Sequence, residues 1–330
     1  QAATTASGDG VVLVDTHCHL DMRAFAGEST PAVLARAAEA GVERVVTIGI
    51  DVPSSGAAVA LAETHPRVYA TVGVNPGDLD GFGDATLSEL AELATCPKVV
   101  AVGEIGLDYH WNASPRDVQL AAFHAQLDLA RRLGLPVVVH DRDAHDDTVA
   151  TLLEWGAQGQ WLDRPLGVLH CFSGDLTMAE HMAAAGFLIS LAGNVTYAEN
   201  AALHEVARQI DLSALVVETD SPYLSPEPYR RRRDAERRNE PARVRLTAAH
   251  VAELRGMVLP DLAAATTANA ARLFRWCDLA ADSSEEDQPQ TEDRSGVEAR
   301  AVAPGNDLAS SSLDAYGAAD AFARFPRTSA

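Results

Sequence analysis

Residues 99–140 read VVAVGEIGLDYHWNASPRDVQLAAFHAQLDLARRLGLPVVVH, and this stretch decides the fold class. It opens on an apolar, β-branched run, Val99–Glu104, and closes on another, Pro136–His140. A helical pattern lies between them. Ser114 is expected to cap that helix, and Pro115 suits its first position, where no backbone N–H is needed. Gly134 suits the stop. Phe123, Leu127 and Ala130 fall at i, i+4 and i+7, which makes one apolar face. Strand, amphipathic helix, strand is the unit of a parallel sheet, because parallel neighbours need a long crossover.

The unit repeats in both directions. Further strand-like runs are Val11–Asp15, Arg44–Ile50, Tyr69–Val74, Gly167–His170, Phe187–Leu191 and Leu215–Glu218, which makes eight in all. Pro31–Ala40 reads as a second clear helix, with Thr30 as its cap and Gly41 as its stop. Eight βα units over about 265 residues predict an α/β fold of the closed (β/α)8 TIM-barrel kind. A doubly wound open sheet is the alternative. The Gly-rich phosphate loop after an early strand that would favour it is missing from the sequence.

The composition agrees. The chain has 330 residues, 47% hydrophobic and 22% charged, which suits a globular interior and not wholesale disorder. Its formal net charge of −21 disfavours broad electrostatic binding to nucleic acid or anionic membranes. A local basic patch, or a site where metal supplies the positive charge, stays open. Cys18, Cys96, Cys171 and Cys277 form no C-x-x-C pair, so neither a zinc finger nor a disulfide scaffold is expected. No apolar run reaches the ~18 residues that span a bilayer. The first ten residues lack the charged start and apolar stretch of a signal peptide, and a cytoplasmic location is expected. Residues 1–10 read as a flexible lead-in and 11–277 as the domain. Residues 278–330 read as a disordered acidic tail with 11 acidic and 4 basic residues, a net of −7 that leaves −14 on the rest.

Barrel enzymes carry their chemistry at the C-terminal ends of the strands. The first run ends in Asp15-Thr16-His17-Cys18-His19-Leu20-Asp21, where His17 and His19 share one face of an extended chain and can chelate one divalent ion. Glu104 follows VVAVG, where burial of a carboxylate costs several kcal/mol unless it is paired or binds metal. His140 closes the fifth run and His170 the sixth, and Asp220 follows the eighth. Taken singly, each has an ordinary explanation: a polar pair, a carboxylate bound to arginine, a satisfied core histidine. Together they put four imidazoles and two carboxylates at the ends of five strands, a donor set for two divalent ions such as Zn²⁺, Mn²⁺ or Mg²⁺. A bridging carboxylate can hold such ions ~3.5–4 Å apart, as two-metal hydrolases require.

These residues carry a resemblance. The stretches DTHCHLD (15–21), VGEIGLDYH (102–110), LPVVVHDRDA (135–144), LHCFSGD (169–175), VVETDSPYLSP (216–226), RNEP (238–241) and TTANAARLF (266–274) resemble the TatD family of metal-dependent hydrolases, within the amidohydrolase-like barrels. The resemblance runs from about Val11 to Cys277. It implies a deoxyribonuclease that cuts phosphodiester bonds with a two-metal-activated water, 3'–5' exonuclease-like, on single-stranded DNA ends. It also implies that His17, His19, Glu104 and Asp220 surround one ion and Glu104, His140 and His170 the other. Glu104 then bridges, and Asp220 orients or deprotonates the water. Tyr109, Asp108 and Ser221 are expected as supporting or substrate-contacting groups, with a loop cap as the plain alternative for Asp108.

The chain departs from the family pattern in two places. The usual G-x-H-P of the third strand is Gly73-Val74-Asn75-Pro76 here, so Asn75 can hydrogen-bond a phosphate but cannot act as a cation. The loop after YLSP carries six arginines within nine positions, Arg230–Arg233, Arg237 and Arg238. One reading is a clamp on the nucleic-acid backbone, drawing on Arg230, Arg231, Arg237 and Arg238. The other is a solvated loop with internal ion pairs to Asp234 and Glu236. At the level of function the competing readings are hydrolysis of C–N or ester bonds on the same site, aminoacyl-tRNA included, and a metal-binding scaffold without turnover. The sequence leaves oligomeric state open.

Overall fold

A computed structural model of the chain describes residues 10–21, 25, 27–158, 164–233 and 236–276. Among these, the strands are β1 (Leu13–Cys18), β2 (Val42–Ile48), β3 (Val68–Val72), β4 (Val99–Asp108), β5 (Val137–Arg142), β6 (Gly167–Leu169), β7 (Phe187–Leu191) and β8 (Leu215–Val217). The helices are α1 (Thr30–Glu39), α2 (Val52–Thr64), α3 (Asp84–Leu93), α4 (Arg116–Leu133), α5 (His145–Ala157), α6 (Leu176–Ala184), α7 (Ala201–Gln209), α8 (Val244–Arg255) and α9 (Leu259–Phe274). Residues 1–9 of the expected lead-in, Cys277 and the expected tail 278–330 lie outside the described residues. None of the described helices is long and apolar enough to cross a membrane.

Strands pair in parallel in the order β1 to β8. The ring closes through a bridge between Cys18 and Ser221, where the Asp220 N–H donates to the His17 carbonyl at 2.8 Å and the His19 N–H to the Ser221 carbonyl at 2.8 Å. This is the expected (β/α)8 barrel, nearly closed. Two apolar layers hold it. Between barrel and helices pack residues such as Val45, Phe123, Leu127, Val137, Leu152 and Val251. Inside the barrel, Val14, Val46, Val100, Val138, Val168, Leu188 and Val216 meet over a floor of Leu273, Phe274 and Trp276 at the end of α9. Side chains alternate along a strand, so on the last four strands the inner face continues upward from these residues. On β5 it runs Val138, His140, Arg142; after β6, Val168, His170; on β7, Leu188, Ser190; after β8, Val216, Glu218, Asp220.

The expected strand ends need correction. β4 and β5 were expected to stop at Glu104 and His140, and both run on, pairing as far as Asp108 opposite Arg142. Gly106 makes this possible. Its φ is +141°, and a Cβ there would collide with the His140 carbonyl oxygen, so the two strands approach too closely for a side chain. α4 is capped one residue later than expected. Pro115, in extended conformation at ψ 148°, precedes the first turn, and the Ser114 carbonyl is taken by the Gln119 side-chain amide at 2.8 Å. α1, by contrast, is capped one residue earlier than expected, beginning on Thr30 with Ser29 as its cap. Gly134 ends α4 in the left-handed region, as read from the sequence.

Candidate metal centre

The six predicted ligands meet at one end of the barrel. His17 Nε2 and His19 Nε2 stand 3.3 Å apart. Glu104 divides its carboxylate. Oε2 lies 3.4 Å from His17 Nε2 and 3.9 Å from His19 Nε2, whereas Oε1 lies 2.7 Å from His140 Nδ1 and 3.0 Å from His170 Nε2. Asp220 Oδ1 completes the first group, at 3.6 Å from His17 and 3.5 Å from His19. The second group is closed by the 3.2 Å approach of His140 Nδ1 to His170 Nε2. The two groups also share a wall, since the His17 and His170 rings stack with centroids 3.9 Å apart. Asp220 reaches its place in the left-handed backbone region, at φ 52°. That conformation costs a non-glycine residue about 1–2 kcal/mol, and aspartate is among the few residue types that tolerate it.

His17, His19, Glu104 and His170 are buried, and Asp220 and His140 nearly so. Burial works to raise the Glu104 carboxyl, but the His170 charge and hydrogen bonds with His140, His17 and His170 hold it well below the usual carboxylate range. Burial pulls His140 down, and contact with Asp108 and Glu104 overcomes this and pushes it up to about 9. His170 is also raised, against burial, by Glu104 and Glu218. His17 is lowered by burial and by the neighbouring His170. Asp220 is lowered, against burial, by His19 and its neighbours. Facing imidazole nitrogens with two ionised carboxylates are the donor set of a divalent metal. Spacing agrees with this: two ligands of one ion bound at ~2.0–2.1 Å stand about 3.0–3.4 Å apart, depending on whether the geometry is octahedral or tetrahedral. The residues fit the group that the resemblance implies.

A profile of the TatD-related DNase family matches residues 14–275. The chain belongs to this family. It is 38% identical over 264 residues to the metal-dependent hydrolase YabD of Bacillus subtilis, covering 80% of this chain and 99% of that protein. It is 39% identical over 244 residues to the 3'-5' ssDNA/RNA exonuclease TatD of Citrobacter rodentium, covering 73% of this chain and 90% of that one. Among solved structures, the TatD homologue YJJV of Escherichia coli superposes with a TM-score of 0.73 at 32% identity, over 80% of this chain and 98% of that one.

In this TatD-family chain the surroundings of the ligand set are only partly expected from the sequence. Asp108 is expected as a supporting or substrate-contacting group, and Glu218 and Asp15 are not singled out. Asp108 Oδ2 lies 3.1 Å from His140 Nε2, so a carboxylate sits behind the nitrogen that faces away from Glu104. Glu218 stands behind His170 at longer range, with Oε1 3.5 Å from Nδ1. Glu218 is itself fixed by the Cys171 N–H at 2.7 Å and the Ser190 hydroxyl at 2.5 Å. Carboxylate–histidine–metal relays of this kind fix the ring and raise its basicity. Among the described residues, the outer Nδ1 atoms of His17, His19 and His170 accept or donate no hydrogen bond. Asp15 is fully buried, accepts from the Thr219 N–H at 2.8 Å and hydroxyl at 2.6 Å, and is pushed by burial up to about 8. The inner-face alternation Val216, Glu218, Asp220 was the signal that could have flagged Glu218.

The expected substrate contacts fall differently in this family member. Asn75 Nδ2 donates to Glu104 Oε1 at 2.8 Å and its Oδ1 accepts from the Gly77 N–H at 2.9 Å, so its amide holds the central carboxylate. Tyr109 donates its hydroxyl to Asp147 at 2.6 Å. Ser221 is fully buried and serves the closure of the barrel. In the arginine loop, Arg230 pairs with Glu199 at 2.5 Å and lies over the Tyr197 ring. Arg231 pairs with Glu227, Arg232 with Glu236, and Arg238 with Glu28. Arg233 and Arg237 are exposed, and among the described residues no carboxylate pairs with either. Asp234 lies outside the described residues.

Proposed function

We propose that the chain hydrolyses phosphodiester bonds of nucleic acid as a 3'–5' exonuclease on single-stranded DNA ends, using two divalent ions of the Zn²⁺, Mn²⁺ or Mg²⁺ type. The division of Glu104, one oxygen to each pair of histidines, carries this reading. His17, His19, Glu104 and Asp220 would hold one ion, and Glu104, His140 and His170 the other. Ions held there supply an acidified water and neutralise charge on a phosphate. The protein's own groups do the rest. Asp220, kept ionised, accepts a hydrogen bond from the attacking water and orients it. Asn75 fixes the angle of Glu104. Arg233 and Arg237 offer charge to the strand beyond the centre. The exonuclease named among the relatives supports the substrate class.

The test is release of nucleotides from a labelled single-stranded oligonucleotide with each metal in turn. Glu104→Ala and His140→Ala should each lower the rate at least about a thousand-fold, the equivalent of several kcal/mol of transition-state stabilisation. Cleavage that survives both substitutions, or that chelation leaves intact, overturns the proposal. Turnover of ester or amide substrates without turnover of DNA selects the competing reading.

A further inference from the structure

Above the six ligands, the end of β5 and the turn after β4 carry two side chains that the centre does not use and that face each other. Arg142 is the last residue of β5, on the inner face two positions beyond His140. It is half-buried, and among the described residues no carboxylate is ion-paired to it. In the β4–β5 register it stands opposite Asp108, two positions above His140. A guanidinium partly withdrawn from water with no paired anion is a receptor for one that arrives with a ligand. Trp111 is 41% exposed, one of few large apolar side chains so placed among the described residues. The carboxylate that holds His140 also positions it: Asp108 Oδ1 accepts the Trp111 N–H at 2.9 Å, while Oδ2 faces His140 at 3.1 Å. The Arg142 guanidinium lies 5.8 Å from the centre of the indole, and the His110 ring abuts the indole edge-on at 4.9 Å.

A cation and an exposed indole side by side next to a phosphate-hydrolysing centre match the two halves of a nucleotide. Single-strand binders combine these elements, with positive charge for the backbone and an aromatic face for the base. We infer that Arg142 and Trp111 form a nucleotide subsite at the mouth of the barrel. The guanidinium takes a phosphate oxygen of the bound strand and the indole stacks on the adjoining base. This rests on the nucleic-acid reading above and goes beyond it by naming the groups that recognise the strand end. Arginine suits the role because its planar fork meets a phosphate through two N–H groups at once.

The experiment uses the full chain loaded with Mn²⁺ and two labelled single strands, one intact and one with an abasic tetrahydrofuran residue at its 3' end. Binding is read by fluorescence anisotropy, and KM, kcat and metal content are measured for each variant. The parent should prefer the intact end in KM by roughly five- to hundred-fold, the range set by stacking of one base on an aromatic ring. Trp111→Ala should erase that preference and Trp111→Phe should keep most of it. Arg142→Gln should raise KM for both strands about ten-fold and flatten the salt dependence of binding by about 0.7 in the log–log slope, the share of one phosphate contact on a single strand. Arg142→Lys should restore the slope without restoring the full affinity. If the parent neither binds nor cleaves either strand, the nucleic-acid reading fails and the subsite fails with it. If the parent cleaves DNA but does not prefer the intact end, or if Trp111→Ala and Arg142→Gln behave as the parent, the subsite alone is overturned.

Discussion

Asp108 shows how one residue ties the metal centre to its surroundings. One oxygen faces His140 Nε2 and the other takes the Trp111 N–H. Removing the carboxylate frees the His140 ring and leaves its far nitrogen unpaired while its near nitrogen still faces Glu104. Loss of a carboxylate behind a ligating histidine typically weakens metal binding 10–100-fold. Asp108→Ala should therefore lower affinity for an ion that Glu104, His140 and His170 would hold by about that factor, measured by chelator competition on the metal-free protein. Asp108→Asn, which keeps a hydrogen-bond acceptor but not the charge, should fall between. An affinity equal to the parent's would mean that packing alone holds His140. The six side chains that meet at the barrel end could be read from the sequence because each follows or ends an apolar run where a polar group needs a reason. The residues behind them are less legible: Asp108 is expected as a supporting or substrate-contacting group without its partner, and Glu218 is not singled out, because their partners lie on other strands and only the folded sheet makes them neighbours.

At the scale of elements, the eight strands and their order followed from repeated apolar runs, but their heights did not. Periodicity marks where a strand is buried, and the upper parts of β4 and β5 carry Glu104, Asp108, His140 and Arg142, which break the apolar pattern while the backbone ladder continues. Length beyond the core is set by backbone pairing and by the side-chain-free approach at Gly106, and neither shows in a hydropathy pattern. The arginine loop teaches a related lesson. Six like charges in nine positions suggest a uniform clamp, yet the fold places Glu199, Glu227, Glu236 and Glu28 against four of them. Exposed pairs of this kind contribute little to stability, but they reduce the charge offered to a strand. Arg233→Ser with Arg237→Ser should therefore reduce the log–log salt slope of single-strand binding by about 1.4, two contacts' worth. Arg231→Ser with Arg232→Ser should change it less. Equal effects from the two pairs would show that the ion pairs open when DNA arrives.

Across the whole molecule, charge and proton balance decide when the centre is ready. The net charge of −21 opposes a polyanion, but two divalent ions would add four positive charges at the one place where a phosphate must sit. The metal-free fold prefers the opposite arrangement, with protons in place of ions. His140 is raised from 6.5 to about 9 and Asp15 from 3.8 to about 8, while His170 and His19 are also raised. Stabilisation from a raised histidine is complete below its unfolded value and is lost as pH climbs through its folded one. Asp15 loses its share over a span that begins lower and ends near 8. The lowered carboxylates Glu104, Asp108 and Asp220 have already delivered theirs by neutral pH, and lowered His17 adds only a small opposing rise near 6.5 that ends just above neutral pH. Between pH 6.5 and 9 the chelated protein should therefore lose thermal stability by several degrees. Metal binding must expel the protons on its histidine ligands, so the rise in melting temperature on adding Zn²⁺ or Mn²⁺ should grow across that window. A chelated protein whose melting temperature is flat or rises from pH 6.5 to 9 would contradict this account, because the protons that the buried histidines hold in the empty centre are the ones the ions must displace.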